Sequence, residues 1–210
     1  MPRLYPILDT ATLARRGCDA GAAARAMLEG GARILQFRHK GSFTRDVFAQ
    51  AERISALCRE ADALFIIDDR ADIAMMLDAG LHVGQDDVPA HIARRLIGSD
   101  RVLGLSTHNA EQVAAAASQP VDYIAFGPVY ATASKENPDP VAGPDGLRMA
   151  VAGAAGRPVV AIGGIARANA AEALAAGAAS LAVIGDVLPD PCTPEAIRSR
   201  IEEWALLLRK

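Results

Sequence analysis

Eight short apolar runs recur along the 210 residues, each followed by a longer amphipathic stretch. The runs are LYPIL (4–8), RILQF (33–37), LFIID (64–68), LHV (81–83), VLGL (102–105), DYIAF (122–126), PVVAI (158–162) and SLAVI (180–184). Helices are expected between them, among others over 46–60, 72–77, 109–117, 169–176 and 194–208. Thr193 before Pro194 reads as an N-cap with proline in the first turn, and Asn109 with Gln112 as a capping box. Continuous apolar strands joined by helical crossovers make a parallel sheet buried on both faces. Eight such units in a chain of this length predict one domain over residues 1–210, a (β/α)8 TIM barrel. An open doubly wound sheet is the other architecture this alternation allows.

Composition narrows the chemistry. The chain is 51% hydrophobic and only 4% aromatic, so its core must be built from Ala, Val, Leu and Ile. A net charge of −3 argues against general binding of nucleic acid or anionic membrane, so an anion site must be a local cluster of cations. Cys18, Cys58 and Cys192 are odd in number, far apart and without a CxxC pair, which predicts reduced thiols in a cytoplasmic protein rather than a disulfide framework or zinc site. The N-terminus lacks the pattern of a signal peptide. The tail AAEALAAGAASLAVIGDVL carries Glu172 and Asp186 and does not read as a membrane span.

In a barrel of this kind the chemistry gathers where the strands end. Strand two ends in QFRHKG, where Gln36, Arg38 and Lys40 are spaced two apart and share a face. Two cations side by side repel unless they share an anion; a solvated strand end is the plainer explanation. Strand three ends in Asp68, Asp69 and Arg70, strand four in Gln85, Asp86 and Asp87, and strand five in Ser106, Thr107 and His108. The long segment 131–146, rich in Pro, Gly and Asp, carries Thr132, Ser134 and Lys135. Asp69 and Asp87 are hard oxygen donors of the kind Mg²⁺ takes together with water and phosphate; each could instead be a helix cap, and Asp69 a partner for Arg70. His82, between Leu81 and Val83, reads as structural as readily as functional. AIGGI (161–165) and Ile184-Gly185 close strands seven and eight, the usual phosphate cradle of this fold, although such glycines also serve plain tight turns. Arg38, Lys40, Lys135 and a carboxylate-held Mg²⁺ would make a diphosphate pocket, facing a monophosphate pocket at Gly164 and Gly185.

Seven motifs carry a resemblance along nearly the whole chain: LYPILDT (4–10), QFRHKG (36–41), FIIDDRADIA (65–74), LHVGQDDVP (81–89), LGLSTH (103–108), DYIAFGPVYATASK (122–135) and VVAIGGI (159–165). In order and spacing they resemble the thiamine phosphate synthases. The resemblance implies a TIM-barrel transferase that joins hydroxymethylpyrimidine diphosphate to a thiazole phosphate, plain or carboxylated, and releases diphosphate. It implies that Gln36, Phe37, Arg38, His39, Lys40, Asp68, His82, Ser106 and Lys135 hold the pyrimidine diphosphate, with Arg38, Lys40, Ser106 and Lys135 catalytic. Thr132, Ala133, Ser134, Gly164, Ile184 and Gly185 would hold the thiazole phosphate, and Asp69 and Asp87 would ligate Mg²⁺. The partners implied are two small phosphorylated heterocycles, with neither nucleic acid nor membrane.

Two positions depart from the family pattern. Asp68 stands where the family usually has Asn, and is expected to support a metal or turn towards Arg38 or Arg70. Gly185 stands where Ser is common, which keeps a backbone donor and loses a hydroxyl hydrogen bond of about 1 kcal/mol. Other readings stay open at this point: a thiazole tautomerase, against which Pro128 stands where a histidine would be expected; a Schiff-base aldolase using Lys135; and a non-catalytic sensor of thiazole phosphate. Lys135→Ala is expected to slow diphosphate release by at least ~100-fold, the scale for removing one charge-stabilising donor; wild-type turnover by that variant would remove Lys135 from the reaction.

Overall fold

The computed structural model describes residues 1–132 and 139–209. Strands β1 (Leu4–Asp9), β2 (Ile34–Arg38), β3 (Leu64–Asp68), β4 (Gly80–Val83), β5 (Leu103–Thr107), β6 (Tyr123–Phe126), β7 (Val159–Ala161) and β8 (Ser180–Val183) pair in parallel with their sequence neighbours. β8 returns to β1, with Leu4 opposite Leu181, and closes the barrel. This is the (β/α)8 architecture expected from the alternation, and the open sheet is ruled out by that last pairing.

Side-chain alternation then sorts the strands into two cores. Tyr5, Ile7, Ile34, Ile66, Tyr123, Ala125, Val160 and Ala182 fill the barrel interior. Their neighbours, including Leu8, Leu35, Phe37, Ile67, Leu81 and Val83, point outward and bury the apolar faces of the helices. The low aromatic content is thus spent unevenly, with two of the three tyrosines inside the barrel.

The helices are α1 (Thr10–Arg15), α2 (Ala20–Glu29), α3 (Arg45–Glu60), α4 (Ala71–Met76), α5 (Ala90–Ile97), α6 (Ala110–Ala117), α7 (Gly143–Gly153), α8 (Ala170–Ala175) and α9 (Pro194–Leu207). Among the described residues no helix is long and apolar enough to cross a membrane. Eight were expected; α1 is the addition. Asp9 starts it by accepting from Thr12 N at 2.8 Å and from Thr12 Oγ1 at 2.7 Å. Thr193 caps α9 as expected, accepting from Ala196 N at 3.2 Å. Asn109 caps α6, but the Gln112 side chain reaches the backbone N–H of His108 rather than that of the cap residue.

The cysteine spacing misleads in one respect. All three thiols are free, yet Cys18, between α1 and α2, donates to the carbonyl of Cys192 at 3.1 Å, although 174 residues separate them. Burial, then the neighbouring Cys192, pushes the Cys18 thiol up to about 12. Cys58 is buried within α3 and its thiol is likewise pushed to about 12, which makes it a core residue.

Candidate active site

A cavity of about 1080 Å³ opens at the C-terminal ends of the strands. It is lined by Gln36, Arg38, Lys40, Asp68, Asp69, His82, Asp87, Ser106, Thr132, Gly164, Ile184 and Gly185, so twelve of the residues picked from the sequence share one space. Phe37 and His39 do not line it. Phe37 points outward into the helix layer, edge-on to Phe43, because its side chain must oppose those of Gln36 and Arg38. His39 turns away to Thr10 Oγ1 at 2.9 Å and Ser42 O at 3.2 Å. Ala133, Ser134 and Lys135 lie outside the described residues. A smaller cavity of about 440 Å³ sits at the opposite end of the barrel, around the starts of β3 and β4, and contains none of the predicted residues.

The paired cations of the QFRHKG motif are held apart by carboxylates. Arg38 Nη1 lies 2.5 Å from Asp9 Oδ2, and its Nε lies 3.7 Å from Asp68 Oδ2. Lys40 Nζ sits 2.8 Å from the same Asp68 oxygen and 2.5 Å from Asp69 Oδ2. Asp9, Arg38, Asp68, Lys40 and Asp69, from the ends of β1 to β3, are therefore linked in the order acid, base, acid, base, acid. Burial alone would lower the Lys40 pKa, but Asp68 and Asp69 outweigh it and hold the ammonium above its ordinary value. Burial raises Asp68, against the pull of Lys40 and Arg38. Of the two arginines expected for Asp68, Arg38 is the one within reach, with Lys40 nearer still; Arg70 is taken by Asp72 through Nε at 2.9 Å and Nη2 at 2.5 Å. Asp69 is likewise no partner of Arg70, and α4 has no side-chain cap. Asp87 accepts from Gly84 N at 2.7 Å, closing the turn before it rather than capping α5.

Asp69 and Asp87 face each other. Burial raises the Asp87 pKa, the Gly84 N–H opposes it, and the charge of Asp69 raises it again. Asp69 also adopts a left-handed backbone, φ 62°, unusual for a residue with a Cβ. Asp68 Oδ2 is buried with ion-pair contacts but no well-formed hydrogen bond. Among the described residues no group of three or more His, Cys, Asp or Glu is arranged to hold a metal. Two opposed carboxylates still fit Mg²⁺, which takes one or two from protein and the rest from water and phosphate.

Below this rim runs a neutral polar chain. Gln36 Nε2 donates to Tyr5 Oη at 3.1 Å, Tyr5 and Tyr123 hydroxyls meet at 2.9 Å, and Tyr123 Oη lies 2.8 Å from His82 Nδ1. His82 Nε2 lies 2.8 Å from Ser106 Oγ. Burial, helped by Lys40 and opposed by Asp87, lowers the His82 pKa to about 4, so the ring is neutral at pH 7. Both ring nitrogens of His82 are thus engaged within the protein.

Across the mouth, Gly163 and Gly164 have φ of 90° and 64°. A Cβ at Gly163 would lie 2.5 Å from Pro128 Cα, and one at Gly164 would lie 2.4 Å from Ala131 O. These glycines therefore let the segment after β6 pack against β7, where Tyr130 N donates to Gly163 O at 2.9 Å. Gly185 differs: a Cβ there would meet nothing within 4 Å, so a side chain at this position would enter open space. The adjoining Asp186 is anchored by Trp204 Nε1 at 2.8 Å, Arg167 Nε at 3.0 Å and Arg200, which donates to its carbonyl at 2.7 Å.

Sequence reasoning passed over Asp9, Tyr5 and Tyr123. Asp9 closes the LYPILDT motif, one of the motifs read as whole blocks, and is the only carboxylate at the end of β1. The tyrosines read as core because their strands are apolar, and they are core; only the hydroxyl chain shows their second use. His108, just past the end of β5, also lines the cavity, with Nδ1 2.6 Å from Gly127 O.

Comparison with known proteins gives consistent results. The family model for thiamine monophosphate synthase matches residues 4–187. A thiamine-phosphate synthase of Koribacter versatilis is 40% identical, aligned over 99% of this chain and 96% of its own. One from Chlorobium phaeovibrioides is 43% identical over 88% of this chain and 90% of its own. Among solved structures, a thiamine phosphate pyrophosphorylase from Pyrococcus furiosus superposes with a TM-score of 0.79 at 36% identity, covering 96% of each chain. A tryptophan synthase α-subunit from the same organism, 15% identical with a TM-score of 0.68, shares the fold alone.

The buried His82 ties stability to pH. Its folded-state pKa of about 4 lies below the ordinary 6.5. Between those values the unfolded chain binds the extra proton, so the contribution is complete above pH 6.5 and is lost as pH falls towards 4. The shift corresponds to roughly 3 kcal/mol. Urea unfolding of the wild type and of His82→Gln at pH 7 and pH 4.5 measures it. The variant should lose less stability on acidification; equal losses would show that His82 is not the buried neutral group described.

Proposed function

The chain belongs to the thiamine monophosphate synthase family, and from that premise we propose how its rim joins two phosphorylated heterocycles. Its activity is that of a thiamine phosphate synthase, an enzyme of thiamine biosynthesis. In our reading, hydroxymethylpyrimidine diphosphate enters beside β2–β5 and the thiazole phosphate beside β7 and β8. The electron pair of the pyrimidine's methylene C–O bond leaves with diphosphate, and the aminopyrimidine ring spreads the resulting positive charge. The thiazole nitrogen then donates its lone pair to the methylene carbon. No protein nucleophile is needed and none is assigned.

The observation that carries this reading is the charge balance of the rim. Four carboxylates, Asp9, Asp68, Asp69 and Asp87, surround two cations, Arg38 and Lys40. A trianionic group would be repelled from that set without additional positive charge. Asp69 and Asp87 would hold Mg²⁺, and the ion when bound supplies neutralisation of the phosphate oxygens. Arg38, fixed by Asp9 on one side and Asp68 on the other, presents its guanidinium in one orientation, so little reorganisation is needed as charge develops. Lys40 exchanges part of its contact with Asp69 for the diphosphate. Lys135, from the segment outside the described residues, is assigned the remaining positive charge. Gln36, Asp68 and Ser106 complete the pyrimidine side, with His82 behind Ser106.

The thiazole phosphate is assigned to the backbone at Gly164, Ile184 and Gly185 with Thr132, and to Ala133 and Ser134. Two phosphate sites at a fixed separation position the nucleophilic nitrogen and the methylene carbon together. We further propose that residues 1–210 act as one catalytic unit and that it works in the reducing cytoplasm, which its three free thiols support.

One assay tests the reading: diphosphate release is followed with each substrate alone and with both. Release only with both, together with thiamine phosphate formation, is expected. Release from the pyrimidine alone, or thiazole isomerisation without coupling, would contradict it. In the same assay Gly185→Ser places a hydroxyl in open space at the cradle. It should lower KM for the thiazole phosphate roughly fivefold, the equivalent of about 1 kcal/mol. An unchanged KM would move the phosphate away from Gly185.

A further inference from the structure

The hydroxyl chain beneath the rim has a direction. Gln36 Nε2 donates to Tyr5 Oη, so the single Tyr5 proton is available for Tyr123. In the order in which each hydroxyl accepts once and donates once, Tyr123 accepts from Tyr5 and gives its own proton to His82 Nδ1. A neutral ring that accepts at Nδ1 carries its proton on Nε2, and Nε2 faces Ser106 Oγ. Ser106 therefore accepts from His82, which leaves its own O–H to donate elsewhere. The four inner members are nearly sealed from solvent, Tyr5 and Tyr123 at 1%, Gln36 at 3% and His82 at 6% exposure, while Ser106 stands partly open on the cavity. We propose that Tyr5, Tyr123 and His82 are positioning residues forming a one-way hydrogen-bond relay that holds the Ser106 hydroxyl as a donor into the cavity, aimed at an anionic oxygen of the phosphorylated pyrimidine.

The surrounding structure is built to keep this chain in place. Gly104 lies opposite Tyr123 in the β5–β6 register, and a Cβ there would fall 2.0 Å from Tyr123 Cζ. Only glycine leaves room for the ring to cross β5 towards His82. The His82 and Tyr123 rings lie within 18° of parallel, and Tyr5 meets Tyr123 edge-on at 6.0 Å. The other neutral tautomer, with its proton on Nδ1, would reverse the relay; full protonation would break it at Tyr123, because an imidazolium donates from both nitrogens, and burial and the nearby Lys40 oppose that charge. In the opposite direction Ser106 would donate back to His82 and present only lone pairs to an arriving anion. The direction thus decides whether Ser106 attracts or repels a phosphate oxygen.

The ligand named for Ser106 rests on the function proposed above; the proton order does not, and two measurements separate them. Long-range ¹H–¹⁵N correlation spectra of the ligand-free full chain at neutral pH report the His82 tautomer. The proton is expected on Nε2, with Nδ1 unprotonated; a proton on Nδ1 overturns the relay whatever the enzyme's substrates are. The second measurement compares Tyr123→Phe with the wild type and, separately, in a Ser106→Ala background. Tyr123→Phe should lower kcat/KM for the pyrimidine substrate about 10-fold, the scale of one charge-assisted hydrogen bond, while KM for the thiazole phosphate stays unchanged. In Ser106→Ala the same change should cost little more. Equal losses in both backgrounds would show that Tyr123 acts through packing and would overturn its action through Ser106. If Tyr123→Phe folds poorly, the wild-type tautomer still decides the direction.

Discussion

Alternating charge along the rim from β1 to β3 is the interaction on which the site depends. Arg38 and Lys40 come from one short strand end and would drive each other apart in solution. Asp9, Asp68 and Asp69, supplied by β1 and by the end of β3, stand between and beside them. Each cation is thereby fixed before any ligand arrives, at the cost of a rim with more carboxylates than cations. That excess explains two features together. Asp87, raised first by burial, is raised further by the charge of Asp69, as Asp68 is by that of Asp87, and the place where Asp69 meets Asp87 suits a divalent cation. The Asp in place of the usual Asn at position 68 adds to the same balance and pairs with the cations rather than standing alone against a phosphate.

Beneath the charged rim the barrel interior is neutral but ordered. The relay from Gln36 to Ser106 couples β2, β1, β6, β4 and β5 through hydroxyl and imidazole groups buried among aliphatic side chains. A neutral His82 is compatible with the Lys40 ammonium nearby, whereas a charged one would compete with it. The opposite half of the mouth uses backbone instead of charge. Gly163 and Gly164 permit close packing against the segment after β6, and the Asp186 cluster with Trp204, Arg167 and Arg200 anchors the turn carrying Gly185. One corner is set by ion pairs, the other by chain geometry.

Much of this was legible in the residues because the signals are periodic. Apolar runs at helical-crossover spacing gave all eight strands, with small shifts at their ends. The two-residue spacing of Gln36, Arg38 and Lys40 correctly placed them on one face, and the same rule excludes the Phe37 side chain from the cavity, since it must point the other way. What was hidden depends on contacts between strands. Asp9 looks like the end of a strand until the β1–β2 register sets it opposite Arg38. Tyr5 and Tyr123 look like apolar core until their hydroxyls meet. α1 is one and a half turns long, too short for a periodic pattern, and its start rests on a single aspartate that also serves the rim.

The central claim is that a carboxylate-rich rim accepts a diphosphate only when a divalent cation joins Arg38 and Lys40. Calorimetric titration of the wild type with inorganic diphosphate, with and without Mg²⁺, addresses it directly, with Asp69→Asn as the comparison. Binding that requires Mg²⁺ in the wild type, and loses that requirement or disappears in Asp69→Asn, is the predicted result. Equal wild-type affinity in the presence and absence of Mg²⁺ would contradict the account.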